Sequence, residues 1–220
     1  MSRPVAVLRP EPGNSATCAR LCDAGREAIA LPLFHVVARP WDAPDPAQFD
    51  AMILTSANAV RHAGPLLHQY TALPAYAVGA QTARAAAAAG FGVAATGRDN
   101  AAALLAMAEA AGVRRALHLG GAATTVTPGD IVATSRTVYA SNALDHSAAT
   151  LTRLSGATAL LHSARAAARL AELCAAHAMD RSTIALAAIS PAAAAAAGAG
   201  WAGIAIAAQP DDTSLIAAAD

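Results

Sequence analysis

The sequence is poor in charged residues, in aromatic side chains and in cysteine. Charged residues make up 14% and aromatic residues 4% of its 220 positions. Its 15 basic and 15 acidic side chains balance to a formal net charge of zero, so no basic excess favours nucleic acid or an acidic membrane surface. We therefore expect neither as a partner, and an anionic ligand must be bound by local features of the fold.

The three cysteines are too few and too scattered for a disulfide framework or a metal cluster. Cys18 and Cys22 lie four residues apart, Cys174 stands alone, and no second group of cysteine or histidine has ligand spacing. We expect buried structural thiols and no metal. The amino terminus lacks an apolar signal core, and the alanine runs at 85–89 and 192–197 are too short to span a bilayer. These features predict a soluble, cytoplasmic protein.

The recurring feature is a short apolar run, a polar turn and an alanine-rich helix. In residues 51–61, AMILTSANAVR, apolar residues precede hydroxyl and amide side chains that can bond the first amides of a helix. The plan recurs at 75–90, 116–121, 159–170 and 184–198. Strands alternating with helices predict a parallel α/β sheet, and such sheets bind ligands beyond the carboxyl ends of their strands. We expect the functional site there.

Helix-capping residues, glycines and prolines predict where several helices and strands begin and end. Asn14 or Ser15 is expected to cap the first helix, and a later helix is expected to start at Thr82. Strands are expected at 51–54, 75–78 and 115–119, and a helix is expected at 164–176. Residues 124–134 contain β-branched residues, a proline and a glycine without helical periodicity, and no element is predicted for them.

The alternating pattern occurs twice, which indicates an internal duplication and two similar α/β domains. The second half begins without a strand of its own, so we predict that it completes its sheet with the amino-terminal β-α-β segment. Two β-rich crossings between the halves could pair as a ladder. The predicted boundaries are 1–35 with 142–220 for domain 1, 40–135 for an inserted domain 2, and 34–40 with 136–141 for the ladder.

A set of segments, in order and along nearly the whole chain, resembles the uroporphyrinogen-III synthase family of tetrapyrrole synthesis. No segment is specific alone; the ordered set carries the resemblance. It implies two parallel-sheet α/β domains joined by a two-stranded β ladder, with a cleft between them. The segments are VAVLRPEPG from residue 5, FDAMILTSANAV from 49, AYAVGAQTA from 75, the turn at 97–100, LHLGG from 117, TVYAS from 137, LLHSARAA from 160, IALAAISP from 184 and QPDDTSL from 209.

The resemblance implies a reaction without a cofactor. Linear hydroxymethylbilane would lose water and close to uroporphyrinogen III, with its terminal ring D inverted. The acetate and propionate carboxylates on every ring could be held by helix amino ends, which requires no basic patch. We expect a monomer whose partner is this small-molecule substrate.

The resemblance also implies which residues act. Tyr139 matches the family tyrosine that assists departure of the hydroxyl by donating a hydrogen bond; without the resemblance, it reads as an aromatic on a connecting strand. Ser56, Asn58 and Thr82 could cap helices instead of contacting the substrate. Arg9 could be a solvated charge. The expected substrate-binding residues are Arg9, Thr55, Ser56, Asn58, Gly79, Thr82, Gly120, Gly121, Ser163 and Ser190.

Two segments depart from the family pattern. The family pattern has a polar or basic residue and a helix after the LHLGG glycines, whereas this chain has Ala122, Ala123 and a short stretch up to residue 134. Threonines are common in the family after the position of Pro191, but only alanines follow it here. A non-catalytic homologue that binds a linear tetrapyrrole or a partner protein in the same cleft is therefore the alternative. A flavodoxin-like or Rossmann nucleotide binder is disfavoured, because no GxGxxG follows a strand and no P-loop is present.

Overall fold

The computed structural model describes residues 3–97 and 100–219, and positions 98–99 of the predicted turn at 97–100 lie outside it. The chain divides into two compact units, which are described separately. Unit 1 comprises Met1–His35 and Asn142–Asp220, and unit 2 comprises Val36–Ser141. Their assignment as domains joined by a ladder stays a prediction.

Strands and helices alternate along most of the chain. The strands are β1 (Val5–Val7), β2 (Ala28–Ala30), β3 (Phe34–Ala38), β4 (Ala51–Leu54), β5 (Ala75–Val78), β6 (Val93–Gly97), β7 (Ala116–Gly121), β8 (Val132–Ala143), β9 (Thr158–Leu161), β10 (Ala185–Ala188) and β11 (Gly203–Ile206). The helices are α1 (Gly13–Asp23), α2 (Ala57–His62), α3 (Gly79–Ala88), α4 (Ala101–Ala110), α5 (Ala148–Leu151), α6 (Ala164–Ala176), α7 (Pro191–Ala197) and α8 (Asp212–Ala217).

Each unit contains one sheet, and the predicted parallel α/β class is confirmed. The sheet of unit 1 has the strand order β11-β10-β9-β1-β2, and every adjacent pair is parallel. The other sheet has the order β3-β8-β7-β4-β5-β6, with parallel pairing from β8 to β6. The two β-rich crossings predicted from the sequence, β3 and β8, are neighbours in this sheet.

The central strands are apolar without alternation, because side chains on both faces of each sheet are buried. All four residues of β4 and all six of β7 are buried. Met52 and Leu54 pack in one apolar cluster of unit 2, whereas Ala51 and Ile53 pack in another. Successive strand residues point to opposite faces, so these clusters lie on the two sides of the sheet.

The predicted start of α1 is wrong. The helix begins at Gly13 after Pro12, and neither Asn14 nor Ser15 caps it; the Glu11 carboxylate accepts a hydrogen bond from the Ser15 amide in its first turn. Asn14 is instead buried, and its amide donates hydrogen bonds to the carbonyl oxygens of Val7 at 2.7 Å and Arg9 at 3.0 Å. The Asn14 side chain therefore holds the turn after β1 against the start of the helix and does not act as its amino-terminal cap.

Two further boundaries differ from the prediction. Helix α3 begins at Gly79, three residues before Thr82, because glycine adopts the left-handed φ of +77° that turns the chain directly from β5 into the helix. Strand β7 extends through Gly121, and β8 begins at Val132, inside the stretch for which no element was predicted. Residues 122–131 thus connect two parallel strands without a helix.

Among the helices in residues 3–97 and 100–219, none has both the length and the apolar character needed to cross a membrane.

Candidate functional site

In unit 2, four predicted site residues lie at the carboxyl edge of the sheet, where neighbouring strands end. Leu54 pairs with Ala77 on one side and Leu119 on the other. The residues that follow each of these positions, from Thr55, Val78 and Gly120 onward, therefore emerge at the same edge. Thr55, Gly79, Gly120 and Gly121 belong to this group, which we call the unit 2 edge.

A buried histidine connects one of these residues, Thr55, with Ser135 of β8. The Nε2 atom of His118 lies 3.0 Å from Oγ1 of Thr55, and its Nδ1 atom lies 2.8 Å from Oγ of Ser135. The His118 side chain is fully buried in β7, and burial lowers its pKa from 6.5 to about 4. At neutral pH the imidazole is therefore uncharged, with one donor and one acceptor nitrogen.

The low pKa of His118 predicts how stability depends on pH. Since the folded protein binds this proton at about pH 4 and the unfolded chain at about 6.5, the unfolded state holds more protons between these values. The free energy of unfolding should fall as the pH drops from 6.5 to 4, by up to about 3 kcal/mol. Chemical denaturation at several pH values measures this slope. The His118→Gln variant should flatten it, and an equal slope in both proteins would contradict the assignment.

Gly120 and Gly121 are buried, and neighbouring rings occupy the space where their side chains would be. A Cβ at Gly120 would lie 2.6 Å from Cε1 of His118, and one at Gly121 would lie 2.5 Å from Cζ of Tyr139. Gly121 and Tyr139 are also register partners in β7 and β8. The two glycines therefore accommodate these rings, and direct contact with a substrate stays a prediction for both.

Tyr139 is half-buried against an apolar cluster of unit 2. Its ring centroid lies 6.2 Å from that of His62, which is in the last turn of α2. Within residues 3–97 and 100–219, no hydrogen bond of its hydroxyl group is found. The phenol is thus held by contacts of its ring, which leaves the hydroxyl proton able to donate to a ligand.

All three predicted serines cap helices. The hydroxyl oxygens of Ser56, Ser163 and Ser190 accept hydrogen bonds from the amides two or three residues later, at 3.1 to 3.3 Å. The side chain of Asn58 accepts from Arg61 at 3.3 Å. Capping uses an oxygen lone pair, so the proton of each serine hydroxyl can still donate to an anion. Substrate contact by these residues stays a prediction.

Helix α3 differs from these capped helices, because no side chain caps its amino end. A Cβ at Gly79 would meet no atom within 4 Å, which leaves the first turn of backbone open to a ligand. The free amides and the helix dipole favour a negative charge at this position. Thr82 lies in the same turn, but its side chain is buried.

In unit 1, Arg9 belongs to a network around Asp212 and is not a solvated charge. Oδ1 of Asp212 lies 3.3 Å from Nη1 of Arg9 and 2.8 Å from Nε2 of His162; Thr17 donates at 3.0 Å, and Arg20 also pairs with this carboxylate. Burial raises the pKa of Asp212, but His162, Thr17 and Arg9 outweigh it and lower the pKa to about 2. This network fastens α8 to β1, α1 and β9.

Sequence reasoning assigned no functional role to His118, His162 or Asp212. His118 carried a signal: it stands two residues before Gly120 in a strand, so both face the same side of the sheet. Asp212 carried none, because its partner Arg9 is 203 residues away.

Among the described residues, no group of three or more His, Cys, Asp or Glu side chains could hold a metal ion. Of the thiols expected to be buried, Cys174 is buried, Cys18 is half-buried and Cys22 is exposed.

Comparison with known proteins gives a family match. The sequence model of the uroporphyrinogen-III synthase HemD family matches residues 15–217. No match was found among curated proteins.

Nine chains of solved structures match this fold, among them the following two. Uroporphyrinogen-III synthetase from Helicobacter pylori 26695 is 16% identical, with a TM-score of 0.63 over 98% of this chain and 97% of that one. A mutant uroporphyrinogen III synthase from the extremely thermophilic bacterium Thermus thermophilus is 15% identical, with a TM-score of 0.52 over 97% and 96%. At such identities these two structures establish the fold alone.

Proposed function

The chain belongs to the uroporphyrinogen-III synthase HemD family, and from this membership we infer that it cyclises hydroxymethylbilane to uroporphyrinogen III. The reaction removes water and inverts ring D, which makes the protein a lyase of tetrapyrrole and heme biosynthesis. The family match over residues 15–217 is the observation that carries the inference. We further propose that the protein acts as a monomer in the cytoplasm and that hydroxymethylbilane is its partner.

The chemistry requires orientation more than strong acid. Departure of the hydroxyl group from the terminal hydroxymethyl carbon leaves a cationic azafulvene. A ring D carbon attacks this cation, and the resulting spiro intermediate breaks and recloses with the ring inverted. Holding the two ends of a flexible chain together provides much of the acceleration, because it replaces a search among conformations with one geometry.

Tyr139 is proposed to donate its hydroxyl proton in a hydrogen bond to the departing hydroxyl group. The half-buried position of the phenol against Gly121 supports this role, since the ring is fixed while the hydroxyl group has no partner among the described residues. A positioned donor stabilises negative charge on the leaving oxygen as the carbon–oxygen bond breaks.

The amino end of α3 is proposed to bind a substrate carboxylate. Its uncapped amides and the open space at Gly79 support this role. The serine hydroxyls at 56, 163 and 190 and the Arg9 guanidinium are proposed as additional carboxylate contacts at the carboxyl edge of their own unit. Together these groups would bind several carboxylates although the chain has no net positive charge.

The Gly79→Ala variant should raise KM for hydroxymethylbilane roughly three- to tenfold, since a methyl group shields the amides and alanine disfavours a φ of +77°. Gly25 is a matched control, because its φ is +70° and a Cβ there also meets no atom within 4 Å. Steady-state kinetics should show an ordinary KM for Gly25→Ala. Equal changes in the two variants would attribute the effect to backbone strain instead of carboxylate binding.

Analysis of product isomers tests the proposed function. The full chain is incubated with hydroxymethylbilane, the products are oxidised, and type I and type III uroporphyrins are separated by chromatography. Predominant type III isomer supports the proposal, because the uncatalysed reaction gives type I. Type I alone would overturn it and favour a non-catalytic tetrapyrrole-binding homologue.

A further inference from the structure

Four polar groups form a chain of hydrogen bonds across three strands of unit 2. Thr55 Oγ1 lies 3.0 Å from His118 Nε2, His118 Nδ1 lies 2.8 Å from Ser135 Oγ, and Ser135 Oγ lies 3.4 Å from the carbonyl oxygen of Val126. Sheet register produces this arrangement. His118 pairs with Ile53 in β4 and with Ser135 in β8, and Thr55 follows Ile53 by two residues and so faces the same side.

Two arrangements of protons are compatible with this chain, and the Val126 carbonyl distinguishes them. In the first, Ser135 donates its single proton to this carbonyl, which can only accept, and its oxygen accepts the Nδ1–H of the neutral imidazole. Nε2 is then an acceptor, to which Thr55 donates its own proton. In the second, Ser135 donates to Nδ1 and the bond to Val126 is lost, so the first arrangement makes three hydrogen bonds and the second makes two, which favours the first. In the first arrangement the Thr55 oxygen has only lone pairs to offer beyond the end of β4.

From this geometry, and resting on the proposed function, we propose that Thr55 accepts a hydrogen bond from a pyrrole N–H of the substrate and that His118 is the residue that positions it. A pyrrole N–H can only donate, and each of the four rings of the bilane has one. A carboxylate can only accept, so it gains nothing from an oxygen whose proton is already given to His118.

The unit 2 edge thus offers a ligand both hydrogen-bond donors and a hydrogen-bond acceptor. The uncapped amides of α3 present donors, which suit carboxylates, whereas Thr55 presents an acceptor, which suits the pyrrole backbone. Since Leu54 and Ala77 pair in adjacent strands, the two features begin next to each other. A ligand with both carboxylates and ring N–H groups can satisfy both, and a simple polyanion cannot.

The Thr55→Val variant removes the acceptor while keeping the shape of the side chain. It should raise KM for hydroxymethylbilane roughly five- to fifteenfold at unchanged kcat, the effect of losing one hydrogen bond. Thr55→Ser should restore KM to within about threefold. Thr71→Val is the matched control, because this hydroxyl donates only to the carbonyl of His68 on an exposed turn. A wild-type KM in Thr55→Val would overturn the proposal.

The position of the proton on the His118 ring distinguishes the proposed positioning role from a purely structural role, which does not require either tautomer. Nitrogen NMR of the full chain with labelled histidine, assigned by comparison with His118→Gln, should place the His118 proton on Nδ1. A proton on Nε2 would make Thr55 the acceptor of His118 and would overturn the proposal. Ser135→Ala should allow the other tautomer and raise KM roughly threefold or more; an unchanged KM would remove the positioning role of His118.

These outcomes are distinct from failure of the proposed function. If the wild-type protein produces only the type I isomer, the cyclisation itself is wrong. If it produces type III but Thr55→Val has an ordinary KM, only the role of Thr55 is wrong.

Discussion

Replacing Tyr139 by phenylalanine is expected to lower kcat by roughly ten- to a thousandfold. This interval lies below the upper part of the range of general-acid effects, because the hydroxyl group leaves readily unaided. The substitution removes one oxygen atom. Since that oxygen has no hydrogen bond among the described residues, the thermal midpoint of unfolding should stay close to that of the wild type. Stopped-flow or steady-state measurement of type III product gives kcat directly.

Tyr70 provides the matched control for this variant. It lies in the same unit and is fully buried, and its hydroxyl group donates to the carbonyl oxygen of Pro44. Tyr70→Phe should therefore destabilise the protein by about 1 kcal/mol and leave kcat unchanged. An unaltered kcat in Tyr139→Phe would remove Tyr139 from the mechanism.

Gly121→Ala is expected to be the most damaging single-methyl change at the unit 2 edge. The new Cβ would lie 2.5 Å from Cζ and 2.8 Å from the hydroxyl oxygen of Tyr139, so the ring must move. We expect a loss of kcat at least as large as in Tyr139→Phe, with a destabilisation of about 1 to 3 kcal/mol from overpacking. Circular dichroism and urea denaturation confirm folding before kinetics are measured.

A control and a double variant identify the cause. Gly92 lies in the same unit, and a Cβ there meets no atom within 4 Å, so Gly92→Ala should retain the wild-type kcat. Adding Gly121→Ala to Tyr139→Phe should lower kcat little further, because both changes remove the same positioned hydroxyl group. Multiplication of the two effects would show that Gly121 acts independently of Tyr139.

Local sequence signals were sufficient where a cap and a periodic run agree. Helix α6 was predicted over the range that the structure shows, because Ser163 caps a run with apolar residues at helical spacing. Strands β4 and β5 also have the predicted bounds, since each is a short apolar run before a polar or glycine turn. These elements depend on neighbours in sequence alone.

Boundaries failed where a contact outside the element determines the local structure. Asn14 has the residue type of a helix cap, but its buried amide bonds two carbonyls of the preceding turn. Gly120 and Gly121 resemble the end of a strand, but they extend β7 because they pair with Thr137 and Tyr139 of β8. Residue type alone specifies neither contact.

The site was only partly predictable for the same reason. The resemblance identified Tyr139, and the turn pattern identified Thr55 and Gly79. The contact of Tyr139 with Gly121 arises from the pairing of β7 with β8, and the bond between Thr55 and His118 requires β4 to pair with β7. Strand order and register produce these contacts, and the sequence pattern specifies neither.

Tetrapyrrole binding at the carboxyl edges of the sheets is tested most directly by heteronuclear NMR. The backbone amides are mapped during anaerobic titration with uroporphyrinogen III. We expect the largest shift changes at residues 79–82, with further changes at 55–58. Changes confined to the opposite edge of the same sheet, at residues 50–51, 74–75 and 115–116, would contradict it.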